Sequence, residues 1–140
     1  MIDTIDHKII NILKENARLS FAEIGRTVAL SPSSVRERIQ KLEENEVIKS
    51  YSVKLNQNLL GNGLEVFIML KIFDGKLQKI ISEINTYPEV QKVFRITGPY
   101  NMHMQVVLKD QLHLQHFIDK LTKFGSPTTH LILSEIIKEK

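Results

Sequence analysis

Over the first fifty positions the apolar residues recur at helical spacing. Ile5, Ile9, Ile12 and Leu13 form one stripe between Ile2 and about Asn16, which predicts a first helix. The polar break NARLS ends it. Ser20 followed three positions later by Glu23 spells a capping box, and a second short helix follows with Ile24 and Val28 facing inward, ending near Ala29. Ser31 then stands as an N-cap with Pro32 at the first helical position, where a missing N–H costs nothing. The third helix carries Val35, Ile39 and Leu42 on its buried stripe. It stops near Asn45, a residue that tolerates left-handed backbone.

From Val47 the period changes. VIKSYSVKLN reads as a strand, and NQNLLGNG as a polar connector that marks a domain boundary. Leu64, Val66, Ile68, Leu70 and Ile72 alternate with Glu65, Phe67, Met69 and Lys71, the period of two of a strand. Leu77, Ile80, Ile81 and Ile84 mark a helix ended by Pro88. VQKVFRIT and MHMQVVLK are strands joined by the turn GPYN, a helix runs from about Leu112 to Phe124 before Gly125 and Pro127, and THLILSEII supplies the last strand. The order is βαββαβ. The expected fold is therefore α+β: an N-terminal helix-turn-helix domain over residues 1–50, a hinge strand and linker over 51–63, and a C-terminal ferredoxin-like domain over 64–140.

Both C-terminal helices are expected on one sheet face. Phe67, Met69, Val93, Val107, Ile132 and Ile136 fall on the opposite phase, a patch too apolar to be left to water. A second copy of the chain would cover it, so a homodimer is expected through this domain.

Composition narrows the chemistry. The 140 residues are 42% hydrophobic, enough for one ordinary core or two small ones, and contain no cysteine, which removes disulfides, thiolate metal sites and thiol catalysis. The most apolar stretch, LEVFIMLKIF, is interrupted by Glu65 and Lys71 and is far shorter than a membrane span of roughly 20 residues. The first ten residues place two aspartates where a secretory leader carries positive charge, so a cytoplasmic location is expected. A net charge of +3 and a pI near 9.1 permit a polyanion partner without demanding one. Residues 1–60 hold nine basic against eight acidic side chains and the rest ten against eight, so any basic surface must come from local placement.

Local placement is informative on the third helix. At about 100° per residue, Ser33, Glu37 and Gln40 point away from Val35, flanked by Ser34, Arg36 and Lys41. Two short helices joined by a tight turn, the second with such an outer face, match a helix-turn-helix that lays its second helix in the major groove of double-stranded DNA. Arg forks onto guanine, Gln onto adenine, and small Ser residues let a helix N-terminus approach phosphate. Gly25 allows the two helices to cross closely, offsetting a helix cost of about 1 kcal/mol. Arg38 lies nearer the buried stripe, placed either to reach a phosphate or to hold the helix by pairing with an acid.

Taken together, the Asp6 and Ile9 entry, LSPSSVRERIQKLE, VIKSY, the Thr-Gly before the hairpin turn and THLILSEI resemble the leucine-responsive and asparagine regulator (Lrp/AsnC) family of transcription factors over nearly the whole chain. The resemblance implies a sequence-specific DNA-binding regulator whose first domain contacts DNA through Ser33, Ser34, Arg36, Glu37, Arg38, Gln40 and Lys41. It also implies a hinge strand, and a second domain that forms homodimers associating to tetramers or octamers and binds a small effector, typically an amino acid. Gly98, Tyr100, Asn101 and Thr129 match the effector pocket. Three positions depart from the family pattern. Ala29 and Glu46 stand where glycine is common, and the loop Gly98-Pro99-Tyr100-Asn101 lacks the two carboxylates usual there. An ammonium group binds best to a charged acceptor, and Asn101 offers only a neutral oxygen, so a weaker, altered or absent amino-acid response is expected. The alternative is a ligand-independent architectural protein that wraps DNA.

His113 and His116 share a helix face but lack the further ligands of a metal site, and a solvated face is expected for them. His103 and His130 are expected as sheet positions or dimer contacts. No nucleophile elbow or phosphate loop is present, and neither an enzyme nor a bound cofactor or metal is expected.

Overall fold

The structure is a computed structural model and describes residues 1–138. It divides into two compact units, Met1–Lys54 and Leu55–Lys140.

The first unit is three helices: α1 (Thr4–Glu15), α2 (Phe21–Val28) and α3 (Pro32–Glu44). Each start is set by its sequence. Asp3 and Asp6 form a reciprocal capping box on α1, Ser20 and Glu23 do the same on α2, and Ser31 caps α3 ahead of Pro32. Ile9, Ile24, Val35 and Ile39 close the core where the three stripes meet, with Ile5, Ile12, Leu13, Leu19, Val28 and Leu30 around them. At the end of α3 the left-handed residue is Glu46, φ 56°, and not Asn45, φ −87°. The bond from the Glu46 N–H to the Glu43 carbonyl, with that from Ile48 to Leu42, draws the turn one residue further on. Residues 49–56 pair with no strand among the described residues, so the segment expected as a strand is unpaired within this chain.

The second unit opens with a short 3₁₀ turn (Gln57–Leu60) and continues as β1 (Leu64–Ile72), α4 (Leu77–Ile84), β2 (Val90–Arg95), β3 (Met102–Leu108), α5 (Gln111–Leu121) and β4 (Gly125–Leu131). The strands form one antiparallel sheet in the order β2-β3-β1-β4. Val66, Ile68, Leu70 and Ile72 of β1 and Met102, Met104, Val106 and Leu108 of β3 share one face. Ile80 and Ile84 of α4 and Phe117 and Leu121 of α5 cover that face, making the βαββαβ core.

Within this unit three details differ from the sequence reading. The last strand begins at Gly125 and ends at Leu131, instead of running from Thr129 to Ile137. Gly125 passes so close to the Lys71 carbonyl that no Cβ fits, which makes it a strand residue where it reads as a stop. Pro127 is tolerated because β4 is an edge strand. Phe124 and Ile132 bond back to Phe73 and Glu65, so the even-numbered positions face β1 and Pro127 turns its missing N–H outward. The second difference is in β2. A bulge between Val90 and Lys92 shifts the register by one, pairing Val93 with Met104 on the helix-covered face and Phe94 with His103 on the open face. Thirdly, Ile136 lies beyond β4. The open face thus holds Phe67, Met69, Phe94, His103, Gln105, Thr128 and His130, with Val107 and Ile132 in the same phase, while Val93 and Ile136 are not on it.

Candidate nucleic-acid interface and effector turn

The outer face of α3 is fixed by what its inner face buries. Val35, Ile39 and Leu42 are all at most 4% exposed, which leaves Ser33, Arg36, Glu37, Gln40 and Lys41 exposed and Ser34 half-buried at the flank. Gly25 on α2 sits against the Leu30 carbonyl with no room for a side chain, and its own carbonyl accepts the Leu30 N–H. This contact closes the turn between α2 and α3. Ala29 supplies the left-handed corner at φ 59°. The two positions where glycine would be easiest, Ala29 and Glu46, are therefore, among the described residues, the two non-glycine residues with positive φ.

The Ser31 hydroxyl donates to Ser34 Oγ at 2.9 Å, lies 3.1 Å from Ser33 Oγ and accepts the Ser34 N–H, gathering three hydroxyls at the start of α3. Gln40 donates through Nε2 to Glu44 at 3.2 Å, and the Tyr51 hydroxyl donates to Glu43 at 3.0 Å. The side chains of Arg36, Glu37 and Lys41 make no hydrogen bond or ion pair among the described residues. Arg38 differs from them. Its Nη1 donates to Asp3 at 2.7 and 2.9 Å and to Asp6 at 3.1 Å, binding α3 to the capped start of α1. These bonds hold the Asp3 carboxyl down at about 2 and push the Arg38 guanidinium up. A concavity of about 730 Å³ lies beside this brace, between the N-terminal residues and the Ser34, Glu37 and Lys41 side of α3.

In the second unit Gly98, Tyr100 and Asn101 sit together on the β2–β3 turn, Gly98 at φ 106°. Asn101 completes the sheet. Its N–H bonds the Leu70 carbonyl, and its side-chain oxygen accepts the Ile72 N–H at 2.8 Å, the place a next strand carbonyl would take. Tyr100 is joined to β4 by the Thr128 hydroxyl at 3.2 Å. Thr129 pairs with Ile68 and belongs to the helix-covered phase, so Thr128 is the β4 residue that meets this turn. Sequence reasoning missed Thr128 because it placed β4 too late.

His113 is not on a solvated face. Its Nδ1 accepts the Lys109 N–H at 3.0 Å, which puts the proton on Nε2 to donate to Glu89 at 2.9 Å, pinning the start of α5 to the start of β2. His103 packs against Phe67 with ring centroids 5.1 Å apart on the open sheet face. Among the described residues no three His, Asp or Glu side chains are grouped to hold a metal, and no helix is long and apolar enough to cross a membrane.

Comparison with known proteins agrees with this anatomy. Residues 2–43 match the AsnC-type helix-turn-helix domain, and residues 65–140 match the Lrp/AsnC ligand binding domain. Among relatives, the transcriptional regulator FL11 of Pyrococcus furiosus is 33% identical over 99% of this chain and 93% of its own length. The solved structure of LrpC from Bacillus subtilis superposes with a TM-score of 0.94, 32% identity and 99% of both chains covered. A transcriptional regulator from Neisseria meningitidis, solved as its complex with L-methionine, gives a TM-score of 0.92 and 29% identity over 99% of this chain and 94% of its own. A helix-turn-helix joined to a ligand-binding α+β domain defines a class of DNA-binding transcriptional regulators. Within that class, the chain belongs to the Lrp/AsnC family.

Proposed function

We propose that this regulator reads duplex DNA with the outer face of α3: Ser33 and Ser34 approach phosphate at the helix start, and Arg36, Glu37, Gln40 and Lys41 reach base edges or backbone. Arg38 serves as the brace that sets the angle of the helix. The observation that carries this reading is that Arg36, Glu37 and Lys41 stand exposed and unengaged on the one helix whose opposite side is locked in the core. Residues 51–63 act as the hinge, and a second copy covers the open sheet face around Phe67, Met69 and Phe94. Each dimer then offers two reading heads to an inverted-repeat site, and further assembly to a tetramer or octamer adds avidity. The protein acts in the cytoplasm.

The effector response is weaker, altered or absent, because the one side-chain oxygen of Asn101 is neutral and already accepts the Ile72 N–H. Equilibrium binding to the DNA upstream of its own gene, against scrambled duplex across a salt series, tests the reading. A steep salt slope with sequence preference, lost in the Arg36→Ala, Gln40→Ala double variant, is expected; undiminished binding by that variant would overturn it. Micromolar binding of a common amino acid in isothermal titration would contradict the effector part.

A further inference from the structure

The acids on α3 and those that meet it from α1 are compensated with one exception, among the described residues. Asp3 and Asp6 are met by Arg38, Glu43 by the Tyr51 hydroxyl and Glu44 by Gln40. Glu37, at the centre of the outer face, has no partner among the described residues. Lys41 is four residues on, the favourable order for a helical Glu–Lys pair, yet the two side chains form no ion pair. A free carboxylate there is a liability on a surface that meets a polyanion, since it repels every phosphate and every guanine O6 or N7 that comes near. It is favourable against one class of group only, the exocyclic amines of the major groove. Adenine sets its amine beside the acceptor N7, whereas cytosine shows its N4 amine with no acceptor alongside.

We propose that Glu37 is a base-selecting residue that accepts a hydrogen bond from cytosine N4 at one position of each half-site and, by repulsion, weakens binding to all other duplex. This rests on the placement of DNA against α3. It gives Glu37 a part in specificity separate from the affinity supplied by Arg36 and Lys41, and it separates a sequence-reading regulator from a protein that wraps DNA indifferently, for which an unpaired acid at this place would only be a loss.

The test is selection from a pool of duplexes with a randomised centre, using the full-length protein and the Glu37→Ala and Glu37→Gln variants, whose folding is checked by circular dichroism. The wild-type pool should hold one position per half-site at which cytosine exceeds other bases, by roughly tenfold in competition titration. In Glu37→Ala that position becomes indifferent while the others persist, in Glu37→Gln it moves toward adenine, and affinity for random duplex rises about threefold at low salt in both. A cytosine position that survives Glu37→Ala overturns the assignment, as does a wild-type pool that is retained without any enriched position. If none of the three proteins retains duplex, the placement of DNA on α3 falls and this assignment falls with it.

Discussion

Arg38 Nη1 lies 2.7 Å from Asp3 Oδ2, across thirty-five residues of sequence. The same aspartate caps α1, so a single carboxylate both starts the first helix and holds the third against it. Helix α3 is thereby oriented from its flank by charge and from beneath by Val35 and Ile39.

That brace has a pH signature. The Asp3 carboxyl, normally near 3.8, is held at about 2 by Arg38 first and by the Asp6 N–H second. A group depressed in the folded state contributes stability that is complete above its unfolded value and is lost as pH falls through its folded one. Asp3→Asn should therefore melt earlier than wild type at pH 7. The gap should close between about pH 4 and pH 2, read as melting temperature by circular dichroism. A gap that stays constant down to pH 2 would mean the ion pair contributes nothing.

Asn101 offers a substitution that keeps its structural bond. Asn101→Asp retains an oxygen for the Ile72 N–H and adds a charge, so the sheet should fold as before. Affinity for free amino acids should rise by about tenfold through a charge-assisted bond to the ammonium. Isothermal titration of both proteins with the same amino-acid set decides it.

The left-handed corners carry strain that glycine would relieve. Ala29→Gly and Glu46→Gly should each stabilise the helical unit by about 0.5–1 kcal/mol, the steric relief exceeding the added chain entropy. Chemical denaturation of the two variants measures it, and a loss of stability in both would place the relief below the entropy.

On the open sheet face Phe67 stands between Gln105 of β3 and His130 of β4 and packs on His103. Phe67→Glu would put an uncompensated charge at the middle of the face proposed above to take a second copy. The dimer dissociation constant should rise roughly hundredfold while the monomer stays folded, seen by sedimentation across a concentration series. Unchanged association would move the contact to another surface.

Where local chemistry sets structure, the sequence could be read directly. Ser20 with Glu23 and Ser31 with Pro32 announced the helix starts, and the alternation through Leu64–Ile72 announced β1. The misses within the sheet share one cause: a tertiary partner decided the outcome. Gly125 and Pro127 read as a stop until Lys71 and the sheet edge are in place, and the bulge at Gln91 leaves no mark in composition yet reverses the faces of Val93 and Phe94. On the candidate site, the outward set on α3 followed from periodicity alone. The engagement of Arg38 by Asp3 and Asp6, of Asn101 by Ile72, and of Tyr100 by Thr128 depends on residues twenty-eight to thirty-five positions apart.

The outward-facing Pro127 has one more effect. A growing cross-β stack advances by docking a fresh strand onto an open edge, and each step needs a donor N–H at every outward position. The β4 border lacks one near its beginning, so the ladder cannot be continued in register along its length. Copies of the chain brought close together thus meet at an edge where that route to fibres is blocked.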